Sequence, residues 1–209
     1  MLAGEKAGRQ GCLTSPGWRH WAKRAGEAMV ATLDGPALLQ AAPKWLARTP
    51  GVLRAFVMGQ SREALDRKPR ADAWSQTVIL AHLADFEVSC FQARVETILR
   101  GDPVLAINPD KRAADIPYEA MDPCMSLDRF CRDRERSLAR IRQLSAEDLT
   151  RRAVHSEIGE ITLANLLAEW VSHDLGHIRQ LVVAAAHPFL PATGPWRPGY
   201  KHLELSPKT

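Results

Sequence analysis

Three histidines carry the clearest chemical signal in this sequence. His173 and His177 stand four residues apart, one helical turn, and side chains so spaced lie about 5–6 Å apart at Cβ, close enough for two imidazoles to share an ion. Their helix has an inward seam of Leu163, Leu166, Trp170, His173, His177, Leu181 and Ala184. An earlier helix has the seam Ile79, His82, Phe86, Ser89 or Cys90, and Ala93. His82 therefore also faces the interior, and the inner faces of bundle helices are where metal sites are commonly built. A lone core histidine is more often a hydrogen-bonded structural residue. Three close imidazoles buried without an ion, however, would each need a polar partner. Three neutral histidine ligands leave coordination positions open for water or substrate, as in catalytic rather than structural zinc sites. Imidazole suits zinc and nickel alike, so the expected cofactor is one divalent ion of either kind.

Several neighbours could complete such a site. Asp174 adjoins His173, Asp85 lies near His82, and either could orient an imidazole by accepting its second N–H. Arg134 falls on a third helical seam between Cys131 and Leu138. A buried arginine needs an anion, which Glu87, Asp174 or a substrate carboxylate could supply. His155 stands in a loop before the last helix, from which it could approach the mouth of the site, although a surface position is the simpler expectation. Tyr118, in another loop, is a candidate lid residue. Asp174, Arg134 and His155 are thus the candidate catalytic residues. His20, His187 and His202 belong to no pattern. No Ser/His/Asp set and no glycine-rich phosphate loop is present.

Four helices must position these groups. Thr49-Pro50 offers a cap and a first-turn proline for a helix through Leu53, Phe56, Val57 and Ala64, ending before Pro69. Ser75 opens a second helix that ends near Gly101, with Trp74 placed to staple onto Ile79. Met125-Ser126, with Phe130, repeats that arrangement for a helix reaching Leu144. Ile161-Thr162, with Leu166, repeats it again for a helix ended by Pro188. No stretch alternates convincingly enough to be a strand, so the expected fold is an all-α four-helix bundle. Helices two and three are joined by about two dozen residues bearing Pro103, Pro109, Pro117 and Pro123, a long loop of the kind that covers functional sites. Ser145 to Asp148 resembles a capping box in the next connection. The expected organisation is an N-terminal extension over residues 1–34, a bundle over 35–190 and a tail over 191–209. Trp18 and Trp21 could dock that extension, and Met29 marks a possible alternative start.

The chain has 209 residues, 45% hydrophobic and 25% charged, with a formal net charge of +4. Much of that mild basic excess lies in the first 24 residues and the Arg129–Arg142 stretch. A nucleic-acid binder more often gathers its charge on one face beside exposed aromatics, so nucleic acid is not an expected partner. Cys12, Cys90, Cys124 and Cys131 form no CxxC pair, which suits reduced core cysteines. No apolar run reaches the length of a membrane span and no secretory h-region is evident, so the expected location is the cytoplasm.

Read in order, Trp74-Ser75, Ala81-His82-Leu83-Ala84-Asp85-Phe86-Glu87, Phe130 with Arg134, Gly159-x-x-Thr162-Leu163 and His173-Asp174-x-x-His177-x-x-Gln180 resemble the DinB/YfiT-like superfamily over residues 36 to 186. The resemblance implies an up-down-down-up four-helix bundle and a metal held by His82, His173 and His177. It also implies either metal-dependent hydrolysis of a small molecule or transfer of a small thiol such as glutathione, bacillithiol or mycothiol. A metal- or ligand-binding stress-response module without turnover, and a purely structural histidine cluster, are the alternatives. Such bundles often pair through their outer faces, so a homodimer is possible.

Overall fold

Apolar residues at helical spacing need partners to bury them, and the sequence supplies four such faces. The computed structural model describes residues 33–204. Its helices are α1 (Gly35–Leu46), α2 (Thr49–Val57), α3 (Arg62–Asp66), α4 (Gln76–Phe86), α5 (Ala93–Arg100), α6 (Pro109–Asp115), α7 (Pro123–Ile141) and α8 (Leu163–Ala186). The four long faces belong to the α1–α2 pair, the run from α4 to α5, α7 and α8. Leu46, Phe91, Ile98, Ile141, Leu167 and Trp170 fill one half of the core, and Leu53, Ile79, Leu83, Phe130 and Leu181 the other. Among the described residues no helix is long and apolar enough to cross a membrane. Residues 1–32, including Trp18, Trp21, Met29, His20 and Cys12, and residues 205–209 lie outside the described part.

The expected caps hold at two helices. Ser75 accepts from the Val78 N–H at the start of α4, and Gly101 closes α5 with φ 76°, a conformation glycine adopts without a Cβ penalty. Thr162 caps α8 and exchanges hydrogen bonds with Asn165 in a full capping box. Thr162→Ala should therefore destabilise the protein by about 1 kcal/mol, read as a lower midpoint in chemical denaturation with an unchanged slope.

Other boundaries differ from expectation. Thr49 does not cap α2, because its hydroxyl donates instead to Asp174. The helix expected to reach Pro69 breaks after Val57, where Gly59 has φ 83°, and resumes as α3. Asp122, not Ser126, caps α7 by accepting from Met125 N, and Pro123 fits the first turn, where a missing N–H is harmless. Met125 is consequently inside the helix and 64% exposed, so it staples nothing. A short antiparallel hairpin, β1 (Arg152–His155) and β2 (Gly159–Thr162), lies where no strand was expected. Its four-residue strands are too short for alternation to show.

The run from α4 to α5 contains a π-helical turn, Glu87–Gln92. Such a turn carries an extra residue and shifts the phase of everything after it. Cys90, Phe91, Val95 and Ile98 are buried, whereas Ala93, expected on the seam, is exposed. Glu87, at the start of the turn, still bonds back to Leu83 in α register, so ordinary helical spacing carries it inward, where it is 1% exposed.

Candidate metal centre

Helices α4 and α8 pack face to face and bring the three predicted histidines together. His82 Nε2 lies 3.2 Å from His173 Nε2, and His177 Nε2 lies 3.1 Å from the same atom. One nitrogen from each ring falls within 4.8 Å of the others. Four-coordinate zinc with bonds of about 2.0–2.1 Å places its donors roughly 3.3 Å apart, so this spacing fits one ion. Among the described residues no further His, Cys, Asp or Glu joins the cluster.

Aromatic rings fix the imidazoles. Trp74 stacks on His177 with the planes 2° apart, Phe86 stacks on His173, and Phe91 meets His173 edge-on at 5.0 Å. Tyr118 meets His82 edge-on at 6.2 Å. Gln180 Oε1 lies 2.8 Å from His177 Nδ1 and orients that ring. The long loop thus contributes to the site as expected, but Tyr118 is no mobile flap. It is 1% exposed and donates to Asp85 at 2.6 Å.

Burial lowers the pKa of all three histidines. His82 drops to about 3, through burial and then the neighbouring His177. His173 falls well below its ordinary value for the same reasons, and burial outweighs Gln180 and Asp174 at His177. Neutral rings present the lone pairs that an ion requires. In chelator-stripped protein, an unfolded histidine protonates near pH 6.5 while folded His82 stays neutral down to about pH 3. The unfolded state then binds more protons, so stability falls as pH drops through that window, by about 1.4 kcal/mol per pH unit for each such histidine. Melting temperature between pH 7 and 4.5 should decline accordingly, and His82→Gln should reduce the slope. A flat profile would contradict the burial argument.

The remaining candidates sit elsewhere. Arg134 is 1% exposed and lies between two carboxylates. It donates to both oxygens of Glu87 at 2.8 Å, to Asp174 at 2.5 and 3.0 Å, and to the Leu46 carbonyl. Burial opposes its charge, but Glu87 and Asp174 more than offset this and raise its pKa. The core ion pair expected for Arg134 is present, and its fork is fully engaged by protein. Asp174 accepts from Arg134 and Thr49, and Asp85 from Arg112 and Tyr118. Neither receives an imidazole N–H, so the orienting role expected of them is not observed. The Nδ1 atoms of His82 and His173 have no hydrogen-bond partner among the described residues. His155 is buried on β1 beside Arg94 rather than on the surface, and no contact joins its ring to the triad. His187 caps the end of α8, and His202 is exposed.

Sequence reasoning placed Trp74, Phe86 and Gln180 in the motifs of the family resemblance but assigned them no role at the site, and it did not single out Phe91. Gln180 could have been found from its place three residues after His177, within hydrogen-bonding reach on the same helical face.

Comparison with known proteins is consistent with this arrangement. The family model of the DinB superfamily matches residues 46–181. A candidate metal-dependent hydrolase of Oceanobacillus iheyensis is 25% identical over 135 residues, 63% of this chain and 78% of that protein. YfiT from Bacillus subtilis, described as a probable metal-dependent hydrolase with an unusual four-helix bundle topology, shares the fold. Its TM-score is 0.64 at 23% identity, covering 72% of this chain and 87% of that one.

Proposed function

This chain belongs to the DinB superfamily, and from that premise we propose that it is a metal-dependent hydrolase of a small molecule whose ion is held by His82, His173 and His177. The observation that carries the reading is the convergence of three Nε2 atoms at 3.1–3.2 Å about His173. The name of the Oceanobacillus relative supports it. Zinc and nickel are two of the ions that an all-imidazole donor set suits. A bound divalent ion supplies Lewis acidity toward water and toward a substrate carbonyl.

The chain's own residues do the rest. The histidines stay neutral and hold the ion. Trp74, Phe86 and Phe91 fix the rings and keep bulk water from their faces. Gln180 sets the orientation of His177. The Glu87–Arg134–Asp174 bridge ties the π turn to α7 and α8, and so fixes the spacing between His82 and His173. With Asp174 and Arg134 committed to that bridge, neither is free to act as a base.

The test is a screen of ester and amide substrates, with small-thiol transfer assayed in parallel. Each assay is run with and without chelator and with His177→Ala as control. Hydrolysis that needs a divalent ion and disappears in the variant supports the proposal. Ion-dependent thiol transfer without hydrolysis would replace it with a transferase. Tight ion binding with no turnover would replace it with the binding module.

A further inference from the structure

Arg94 on α5 and His155 on β1 meet at the edge of the bundle. Arg94 Nη2 lies 3.4 Å from His155 Nε2 and donates to the Leu105 carbonyl at 3.1 Å. His155 Nδ1 accepts from the backbone N–H of Glu157 at 3.2 Å. A neutral imidazole has one N–H and one lone pair. With Nδ1 engaged as acceptor, the proton is on Nε2, and Nε2–H then faces a guanidinium that has only donors. The other tautomer merely moves the donor-to-donor conflict to the Glu157 N–H, which is the shorter contact. The Arg94 Nε is in addition buried without any partner, and His155 itself is 8% exposed. Donors from two side chains thus face one region, and no acceptor there satisfies Nε or Nε2.

Unpaired buried donors are costly, and a guanidinium edge matches the two oxygens of an oxyanion. We propose that Arg94 and His155 form a subsite for a small oxyanion, a carboxylate or phosphate group. Helical succession sets it near the metal centre. Phe91, whose ring edge meets His173, stands three residues before Arg94. Glu169, one turn before His173, and Glu157 are the nearby carboxylates that could otherwise swing onto the pair, since the charge of Glu169 already interacts with Arg94 and that of Glu157 with His155. The subsite does not need the ion. Only its role in selecting anionic substrates rests on the metal-centre reading.

The test titrates the full-length protein with sodium acetate and, separately, sodium phosphate at constant ionic strength, in the presence and absence of chelator. The imidazole nitrogen resonances are followed by NMR, and His155→Asn assigns the His155 signal. Saturable shifts at His155 that persist in chelator are expected. A response to one anion alone identifies the group as carboxylate or phosphate. Arg94→Gln and Arg94→Lys, each first shown to be folded by circular dichroism, should weaken binding by about tenfold or more, because lysine keeps the charge but loses the fork. No saturable shift in the parent protein, or unchanged affinity in both variants, overturns the subsite. Anion binding at His155 in a protein that carries no divalent ion before chelator is added, and takes none up from added zinc or nickel, would sink the metal-centre reading and leave the subsite standing.

Discussion

Changing His177 to alanine is expected to weaken retention of a divalent ion by more than about 100-fold, beyond the 10–100-fold that loss of a supporting partner usually brings. His177 Nε2 is 3.1 Å from His173 Nε2, so its removal leaves two donors where three converged. The remaining pair, His82 and His173, is walled by Phe86 and Phe91, which offer no replacement ligand. Gln180 loses the ring it orients, and Trp74 loses its stacking partner. The fold should survive, because α8 is anchored by Leu166, Trp170 and Leu181. Calorimetric titration with zinc and nickel measures the loss, and circular dichroism verifies the helix content. Affinity within a few-fold of the parent would place the ion elsewhere.

The second large effect concerns stability. Arg134→Met should destabilise the protein by about 3–5 kcal/mol, because it leaves Glu87 and Asp174 buried without their cation. Both carboxylates are almost fully enclosed, at 1% and 2% exposure. Ser137 and Trp170 still donate to Glu87 at 2.6 and 3.2 Å, and Thr49 to Asp174 at 2.6 Å. Those neutral donors soften the loss without replacing the charge. Packing against the Phe130 ring, 4.6 Å from the guanidinium carbon, is partly kept by methionine. For a chain of this size the change corresponds to a fall in melting temperature of roughly 6–20 °C. The triple variant Glu87→Gln, Asp174→Asn, Arg134→Met removes all three charges and should recover part of the loss. A melting temperature unchanged in Arg134→Met would contradict the bridge as a structural element.

Much of this was legible in the residues because it depends on local rules. Ser75 and Thr162 announce helix starts through hydrogen bonds three residues long, and His173 and His177 are placed by helical pitch alone. The convergence of His82 on them follows once both helices are known to bury their seams. Other features depend on competition that no local rule resolves. Thr49 could cap a helix or serve Asp174, and only the arrival of α8 decides between them. Asp122-Pro123 and Met125-Ser126 are both plausible starts, and the earlier one extends the helix that carries Arg134. No helix was expected over Gly35–Leu46: Asp34 caps it by accepting from Ala37 N, but Pro43 inside it reads as a breaker. The π turn has no sequence signature of its own. It is stabilised by what it brings inward, above all Phe91 against Trp170 and His173, and that benefit exists only in the assembled bundle.

An ion among three neutral imidazoles is what the proposed chemistry requires, and metal analysis of the protein purified without a histidine tag detects it most directly. Elemental analysis by mass spectrometry should find one divalent ion per chain, removed by a strong chelator with a clear fall in melting temperature at pH 7.5, as expected when a ligand bound only by the folded state is withdrawn. Folded protein that carries no stoichiometric ion, takes none up on incubation with zinc or nickel, and melts at the same temperature in chelator would contradict it.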